Sequence, residues 1–173
     1  ARFLTSSAIE YIRRRNDTGW FLSLNYIKPH GPYICPAPYN TLYDPLRVPA
    51  PLRRPEEIQH PLPYFARIGA YAQDQLMKEH EWRELRACYY GMITEVDACL
   101  GRLFQALKDS GQWDNTLIIF TSDHGSYMGD HYMQGKSHFY DAAFRVPYIV
   151  RDPAPEADST RGTQQDAFIE SID

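Results

Sequence analysis

The stretch Thr116-Leu117-Ile118-Ile119-Phe120-Thr121-Ser122-Asp123-His124-Gly125 decides the fold class of this chain. Its first seven residues form a continuous β-favouring run without polar alternation. A strand of this kind is usually buried on both faces, as in the parallel sheet of an α/β protein. Ligands of such sheets gather at the carboxyl ends of the strands, and Asp123, His124 and Gly125 follow this strand directly. The stretch therefore predicts an α/β fold with a ligand site after the strand.

A long amphipathic helix is predicted before this strand. Apolar residues recur at spacings of three and four between Leu85 and Leu107. Charged residues occupy the other positions of the pattern, and these are Glu84, Arg86, Glu95, Arg102, Lys108 and Asp109. Ser110 and Gly111 end the helix.

Three further elements complete the predicted architecture. Residues 147–151 and 20–26 are short apolar runs typical of buried strands. Ser7 and Glu10 have the spacing of a capping box, which predicts a short helix that ends near residues 16–19. The order of strands and helices predicts a mostly parallel central sheet flanked by helices.

A proline-rich segment occupies residues 29–63 and holds ten of the thirteen prolines. Neither a helix nor a central strand persists through such a segment. A flexible linker is one interpretation, and a loop packed over the domain is the other. Tyrosines and large aliphatic residues interleave with the prolines, which favours the packed loop.

Composition excludes several classes of function. The chain has 173 residues, a hydrophobic fraction of 43% and a formal net charge of -4. This charge argues against a nucleic-acid partner. No apolar run approaches the roughly 20 residues needed to span a bilayer, so a soluble chain without a membrane partner is expected. The three cysteines, Cys35, Cys88 and Cys99, lack CxxC spacing, which argues against a disulfide framework and a zinc cluster.

Asp123 and His124 are candidate ligands of a divalent cation. A carboxylate oxygen and an imidazole nitrogen are both common metal ligands, and Gly125 allows the backbone to turn away. A helix N-cap followed by a surface histidine explains the tripeptide equally well. The residues that follow favour the metal site, because histidines, carboxylates and a lysine lie among glycines in residues 129–141.

Several ordered motifs carry a resemblance to a known family. They are Glu95-Val96-Asp97, Leu100-Gly101-Arg102-Leu103, residues 114–125, Met128-Gly129-Asp130-His131, Gly135-Lys136, Phe144-Arg145-Val146-Pro147 and Lys28-Pro29-His30-Gly31-Pro32. Together they closely resemble the sulfatase family of the alkaline phosphatase superfamily. The pattern is most similar to bacterial phosphonate monoester hydrolases, and it covers residues 1–173, with the proline-rich loop at 29–63.

The resemblance implies roles for four residues. Asp123 and His124 would be metal ligands, Lys136 would contact the anionic oxygens of the substrate, and His30 would bind the ester or protonate its leaving group. A solvated surface lysine and a loop-packing histidine are the alternatives for Lys136 and His30. His131, His138 and Asp141 lie nearby in the sequence without an assigned role.

The resemblance also implies what else the enzyme uses. The expected activity is metal-dependent hydrolysis of small-molecule sulfate, phosphonate or phosphate esters. Manganese is the favoured metal, and calcium and zinc are compatible with the ligands. The family's nucleophile is a formylglycine made from cysteine, or a serine, in a Cys/Ser-x-Pro-x-Arg motif. Cys35 does not match this motif, because its proline stands at the wrong offset and no arginine follows.

The chain is therefore expected to be a C-terminal fragment of the catalytic domain, incomplete as an alkaline-phosphatase-like fold. The nucleophile would lie in the preceding part of the parent enzyme, and the isolated fragment would be inactive. A cytoplasmic or periplasmic location and a homo-oligomeric parent are compatible with the resemblance. The alternative function is a catalytically inactive, sulfatase-like binding or scaffold module.

Overall fold

The computed structural model describes residues 1–15, 19–59, 77–167 and 169. Two long helices and a small sheet organise these residues. The helices and strands are α1 (Arg2–Arg14), α2 (Glu79–Asp109), β1 (Ile118–Thr121), α3 (Asp141–Phe144) and β2 (Tyr148–Arg151). Single 3-10 turns occur at Tyr39–Thr41, Pro55–Gln59, Trp113–Asn115, Asp130–Tyr132 and Pro155–Thr160. The described residues form a partial α/β domain.

Helix α2 is the main packing element of the described chain. Its predicted amphipathic pattern is confirmed, and it begins where the Glu81 side chain accepts a hydrogen bond from the Lys78 backbone N–H. It ends at Ser110, and Gly111 follows with φ +70. Among the described residues no helix is apolar enough over a sufficient length to cross a membrane.

Helix α1 packs against the C-terminal half of α2. Ala8 and Ile12 of α1 form a buried cluster with Leu103 and Leu107 of α2. The helix ends at Arg14, shortly before the predicted end near residues 16–19. The predicted start at a Ser7 capping box is wrong, because α1 already begins at Arg2. Thr5, Ala8 and Ile12 all face the interior. Burial of this face extends the helix by more than one turn beyond the local capping signal.

The described sheet contains two antiparallel strands rather than parallel ones. Ile118 of β1 lies opposite Arg151 of β2, and Thr121 lies opposite Tyr148. The chain leaves β1 into a long loop and re-enters the sheet at the same end, so β2 runs back along β1. Burial on both faces is not observed either, since Ile119 and Ile149 are 52% and 61% exposed. The described elements cover only the face that carries Ile118.

Residues 20–26 are extended but form no strand ladder with the described residues. Alternate side chains, Trp20, Leu22 and Leu24, pack against the helical core, whereas Phe21 is 86% exposed. The predicted buried strand is therefore wrong as stated, since only one face of the segment is covered. Trp20 Nε1 donates a hydrogen bond to Gln112 Oε1 at 2.8 Å and attaches the segment to the end of α2.

The proline-rich segment packs along α2 over its described part, residues 29–59. Residues 60–63 of the predicted loop lie outside the described residues. Val48 is buried, and its carbonyl accepts a hydrogen bond from Arg83 of α2. A β-carbon added at Gly91 of α2 would lie 2.5 Å from the Tyr39 carbonyl oxygen and 2.8 Å from Cys35 Sγ. This close approach shows a packed loop rather than a free linker.

Substitution of Gly91 by alanine should separate the loop from α2. We expect Gly91→Ala to lower the free energy of unfolding of the full-length protein by about 1–3 kcal/mol, because the added methyl group meets backbone atoms. Gly101→Ala is the matched control on the same helix. Its β-carbon meets no described atom within 4 Å, so it should raise stability by about 0.5–1 kcal/mol. Urea denaturation measures both changes, and equal effects would contradict the close packing.

Candidate active site

The end of β1 places Asp123 and His124 at the edge of the sheet. The chain bends at Asp123 after β1, and the Gly125 N–H donates a hydrogen bond to the Ala143 carbonyl at 2.7 Å. A β-carbon at Gly125 would lie 2.1 Å from the Ala142 carbonyl oxygen. Only glycine fits against α3 at this point, and its close approach holds the backbone that follows Asp123 and His124 on α3.

The hydrogen bonds of His124 define its tautomer. Lys136 Nζ lies 2.6 Å from His124 Nε2, and His124 Nδ1 lies 2.8 Å from the Gly125 carbonyl oxygen. An ammonium group is only a donor and a carbonyl is only an acceptor. Nδ1 therefore carries the proton, and Nε2 presents a lone pair. Histidines that bind metals commonly donate their other N–H to a backbone carbonyl in this way.

Asp123 supplies a second potential metal-ligand atom close to His124 Nε2. Its Oδ2 lies 3.5 Å from His124 Nε2, and its side chain is 84% exposed. Its Oδ1 accepts the His124 backbone N–H at 3.1 Å, which fixes the orientation of the carboxylate. A carboxylate oxygen and an imidazole lone pair thus converge, as ligands of one divalent cation require. Helix N-capping, the alternative for Asp123, is not observed, since no helix begins there.

A folded loop brings Lys136 back to His124 from twelve residues away. The Tyr127 N–H donates to the Gly135 carbonyl at 2.9 Å and closes the base of the loop. Tyr127 and Met133 are buried against Ala143, and burial raises the pKa of the Tyr127 phenol. Four non-glycine residues adopt positive φ angles in this region: Met128, His131, Tyr132 and His138. Backbone strain of this kind is often found at functional sites.

His30 reaches the same place from the proline-rich segment. The His30 and His124 rings meet edge to face with 6.1 Å between their centroids. His30 Nδ1 donates to the Gly31 carbonyl at 2.9 Å. No described residue is hydrogen-bonded to His30 Nε2, so that nitrogen remains available at an exposed position. The four candidate residues, His30, Asp123, His124 and Lys136, therefore form one chain of neighbours.

The other histidines and carboxylates of the loop have different surroundings. His131 Nδ1 donates to Glu57 Oε1 at 2.9 Å, and its ring stacks on Tyr140 with centroids 4.0 Å apart. Burial alone would raise the pKa of Glu57, but hydrogen bonds from the Arg54 N–H and His131 lower it. Asp141 is the exposed first residue of α3. These contacts join the loop to the proline-rich segment.

Asp130 extends the same connection to α2. Its Oδ1 accepts hydrogen bonds from the Leu52 N–H at 2.7 Å and from Arg86 at 2.8 Å. Arg86 also donates to the carbonyls of Met128 and Pro49. A single guanidinium thus holds the candidate site loop and the proline-rich segment on α2. Arg86 was predicted to lie on the polar face of the helix, but its side chain is only 12% exposed.

Two residues near the site were missed by the sequence patterns. Glu95 was predicted to lie on the polar face of α2, and this prediction is wrong, because the residue is 3% exposed. Its carboxylate pairs with Lys28, two residues before His30. The available signal was the position of Glu95 beside the apolar residues Met92, Val96 and Cys99. A carboxylate at such a position requires a buried partner.

The cysteines do not contribute a reactive nucleophile to this arrangement. All three are free, and Cys99 is buried in α2. Burial raises the pKa of the Cys35 thiol, which disfavours the thiolate form at neutral pH. This agrees with the exclusion of Cys35 on its sequence context.

The candidate metal ligands fit part of a metal site. Asp123 and His124 supply an oxygen and a nitrogen with the correct tautomer. Within residues 1–15, 19–59 and 77–167, no group of three or more His, Cys, Asp or Glu side chains could hold a metal ion. A cation at this position would therefore need further ligands from outside the described residues.

Comparison with known proteins identifies the class. The sulfatase family model matches residues 2–173. The chain therefore belongs to the sulfatase family.

Individual members of the family show which sulfatases this chain is similar to. The multifunctional alkaline phosphatase superfamily protein PehA of Trinickia caryophylli is 41% identical over 99% of this chain and 35% of its own length. An arylsulfatase of Clostridium perfringens is 29% identical over 99% of this chain and 36% of its own length. The crystal structure of the phosphonate monoester hydrolase of Agrobacterium radiobacter matches 87% of this chain with TM-score 0.77 and 39% identity, over 32% of that protein. The chain thus spans about a third of the length of these relatives.

The close approach of Gly125 to α3 gives a direct test of the site geometry. We expect Gly125→Ala to lower the stability of the full-length protein by about 1–3 kcal/mol and to lower its metal content, because His124 must move with the displaced backbone. Urea denaturation and elemental analysis by mass spectrometry measure the two effects. Adding Ala142→Gly should not rescue the variant, since the clash involves the Ala142 carbonyl rather than its side chain. Unchanged stability and metal content would contradict the geometry.

Proposed function

We propose that this chain is part of a metal-dependent hydrolase of sulfate or phosphonate esters. One observation carries the proposal: His124 Nε2, Asp123 Oδ2 and Lys136 Nζ converge at the carboxyl end of β1, with His30 beside them. Membership of the sulfatase family and the similarity to a phosphonate monoester hydrolase support the same activity.

The proposed residues divide the chemistry of ester hydrolysis among them. Asp123 and His124 would hold a divalent cation, which when bound supplies positive charge against the developing negative charge of the ester oxygens. Lys136 would bind an equatorial oxygen of the tetrahedral group and stabilise the same charge. Lys136 now donates to the lone pair of His124, so it would turn toward the substrate when that lone pair binds a cation. His30 would protonate the leaving oxygen through Nε2.

The remaining catalytic groups are proposed to lie in the part of the enzyme not represented by this chain. They include a formylglycine nucleophile and the additional metal ligands. The exposed apolar side chains Ile119 and Ile149 of the sheet, and Phe21 of the segment at residues 20–26, agree with cover by further elements of a larger domain. We propose that these elements complete a mostly parallel central sheet. The fragment alone would then be inactive.

Several finer assignments are also proposals. Manganese is the proposed metal, as suggested by the similarity to phosphonate monoester hydrolases, and calcium and zinc are the alternatives. A cytoplasmic location is proposed for the parent enzyme. The proposed substrates are small-molecule esters, because the convergent groups suit one tetrahedral anion.

Removal of single site groups tests the proposal. We expect Asp123→Asn to lose bound metal, and Lys136→Met to keep the metal but lower kcat/KM by about 10²–10³-fold through loss of charge stabilisation. The assay uses the full-length protein with a phenylphosphonate monoester and an aryl sulfate at several manganese concentrations. The better ester identifies the substrate class.

Two surface variants serve as controls for this experiment. Glu10→Gln removes a carboxylate whose side chain is 61% exposed on α1, and Lys108→Met removes an exposed lysine at the end of α2. Both should retain wild-type activity and metal content. If the wild-type protein turns over neither ester, hydrolysis is rejected, and the inactive binding or scaffold module becomes the better explanation.

The proposed acid function of His30 is tested with leaving groups of different basicity. We expect His30→Ala to lower kcat/KM by about 10²–10⁴-fold for esters with poor leaving groups, which depend on protonation. The loss should be much smaller for a 4-nitrophenyl ester, whose leaving group departs unprotonated. Rates are measured over a series of ring-substituted phenyl esters. His80→Ala, at an exposed position near the start of α2, should leave them unchanged, and an equal loss with every ester would contradict the acid role.

A further inference from the structure

The carboxylate of Glu95 is buried in the middle of α2. Its side chain is 4% exposed, and its helical neighbours Met92, Val96 and Cys99 are also buried. A charged group in such surroundings loses its hydration and is stable only with a close partner. Helix formation does not require a carboxylate at this position, and buried positions are mostly occupied by apolar residues.

The partner of Glu95 belongs to the segment that carries His30. Lys28 Nζ lies 2.5 Å from Glu95 Oε2, and the Lys28 side chain is 23% exposed. The same ammonium group donates to the Ile34 carbonyl at 3.1 Å. Lys28 therefore connects its own segment with the backbone at Ile34 and with the buried face of α2.

His30 lies inside the short loop that Lys28 closes. The loop runs from residue 28 to residue 34, and its turn is held by the hydrogen bond from the His30 N–H to the Ile27 carbonyl at 2.9 Å. A weaker contact from Cys88 Sγ of α2 to the Tyr33 carbonyl supports the far side at 3.3 Å. The His30 side chain is exposed; its Nδ1 contacts the Gly31 carbonyl, and its ring lies edge to face with the His124 ring. The loop backbone, and not packing around the imidazole, fixes its position.

We propose that Glu95 and Lys28 form a positioning pair that holds His30 against the His124 end of the site. Neither residue touches the position of the substrate. Glu95 acts on Lys28, Lys28 fixes the loop, and the loop orients the imidazole. This inference rests on the proposed acid function of His30, and it adds two residues to the groups on which turnover depends.

Stability alone is a poor explanation of the pair. A buried ion pair gains little over well-packed apolar residues of similar volume, because desolvation offsets the attraction between the charges. The pair instead restricts the conformation of the loop, because an ammonium group with two fixed acceptors allows few loop conformations. Proton transfer to a leaving oxygen is sensitive to displacement of the acid by about 1 Å. The arrangement therefore suits positioning.

A double-mutant cycle in the full-length protein tests the proposal. We expect Glu95→Gln to lower kcat for an unactivated phenyl ester by about 10- to 100-fold, through displacement of His30, with little change in KM. The loss should be small for the 4-nitrophenyl ester. In a His30→Ala background, Glu95→Gln should cause almost no further loss. Equal losses in both backgrounds, or equal losses with both esters, would overturn the positioning role.

Four further variants control the cycle. Lys28→Arg retains a cation and should retain most activity, whereas Lys28→Met should behave like Glu95→Gln. Glu79→Gln removes a carboxylate from the same helix, where it pairs with Arg83 and its side chain is 65% exposed, and it should have no effect. The double variant Lys28→Met/Glu95→Leu leaves no unpaired buried charge, and it replaces Glu95→Gln if that protein does not fold.

A second readout does not depend on activity. Carbethoxylation of His30 by diethyl pyrocarbonate, followed by peptide mass spectrometry, reports the surroundings of the imidazole directly. We expect the rate at His30 to differ several-fold between the wild-type protein and Glu95→Gln, with His80 as the unchanged internal reference. An equal rate at His30 would overturn the proposal even in a protein without esterase activity. Inactivity of the wild type with a changed His30 rate would reject only the proposed hydrolysis.

Discussion

Burial of one face of α2 is the constraint on which the described structure depends. The C-terminal half of this helix forms a cluster with α1, and residues 20–24 pack against the same cluster. The N-terminal half carries the proline-rich segment, which approaches the backbone of α2 closely at Gly91. The strand β1 follows the helix after a single turn. Each part of the candidate site is therefore positioned relative to one rigid element, which is the condition for precise chemistry.

Polar contacts then connect the loops that α2 alone does not order. Arg86 and Asp130 link the loop after β1 to the proline-rich segment, and Glu57 joins them through His131. Backbone donors and acceptors that have no strand partner are satisfied in this way. Arg53 strengthens the connection by lying over Trp82 and donating to the Gly129 carbonyl at 2.7 Å. Desolvation lowers its pKa.

The residues of the site differ in their solvent exposure and in how their side chains are held. Asp123 is almost fully exposed at the mouth of the arrangement, whereas His124 is oriented by its contact with the Gly125 carbonyl. The strained backbone at Met128, His131 and Tyr132 is retained because the buried side chains of Tyr127 and Met133 hold the loop in this conformation. The stability of the loop and the placement of Lys136 thus have the same physical origin.

Sequence patterns predicted the elements better than their pairing. The period of α2, the two strands and the Asp-His-Gly motif after β1 could be recognised because each depends on local spacing. The antiparallel pairing of β1 and β2 could not be, since it depends on the path of the loop between them. The prediction of a buried strand at residues 20–26 is wrong because an apolar run does not reveal what covers its second face.

The sequence by itself determined the helix α2, the ligand types at the end of β1 and the resemblance to sulfatases, because these follow from residue identity at short range. Only the tertiary structure decided that Lys136 meets His124, that His30 lies beside them, and that Glu95 is buried against Lys28. Those contacts join residues 12 to 94 positions apart, and no local pattern encodes them. They arise when packing on α2 brings the proline-rich segment and the site loop together, and when burial of the Glu95 carboxylate makes it require a partner.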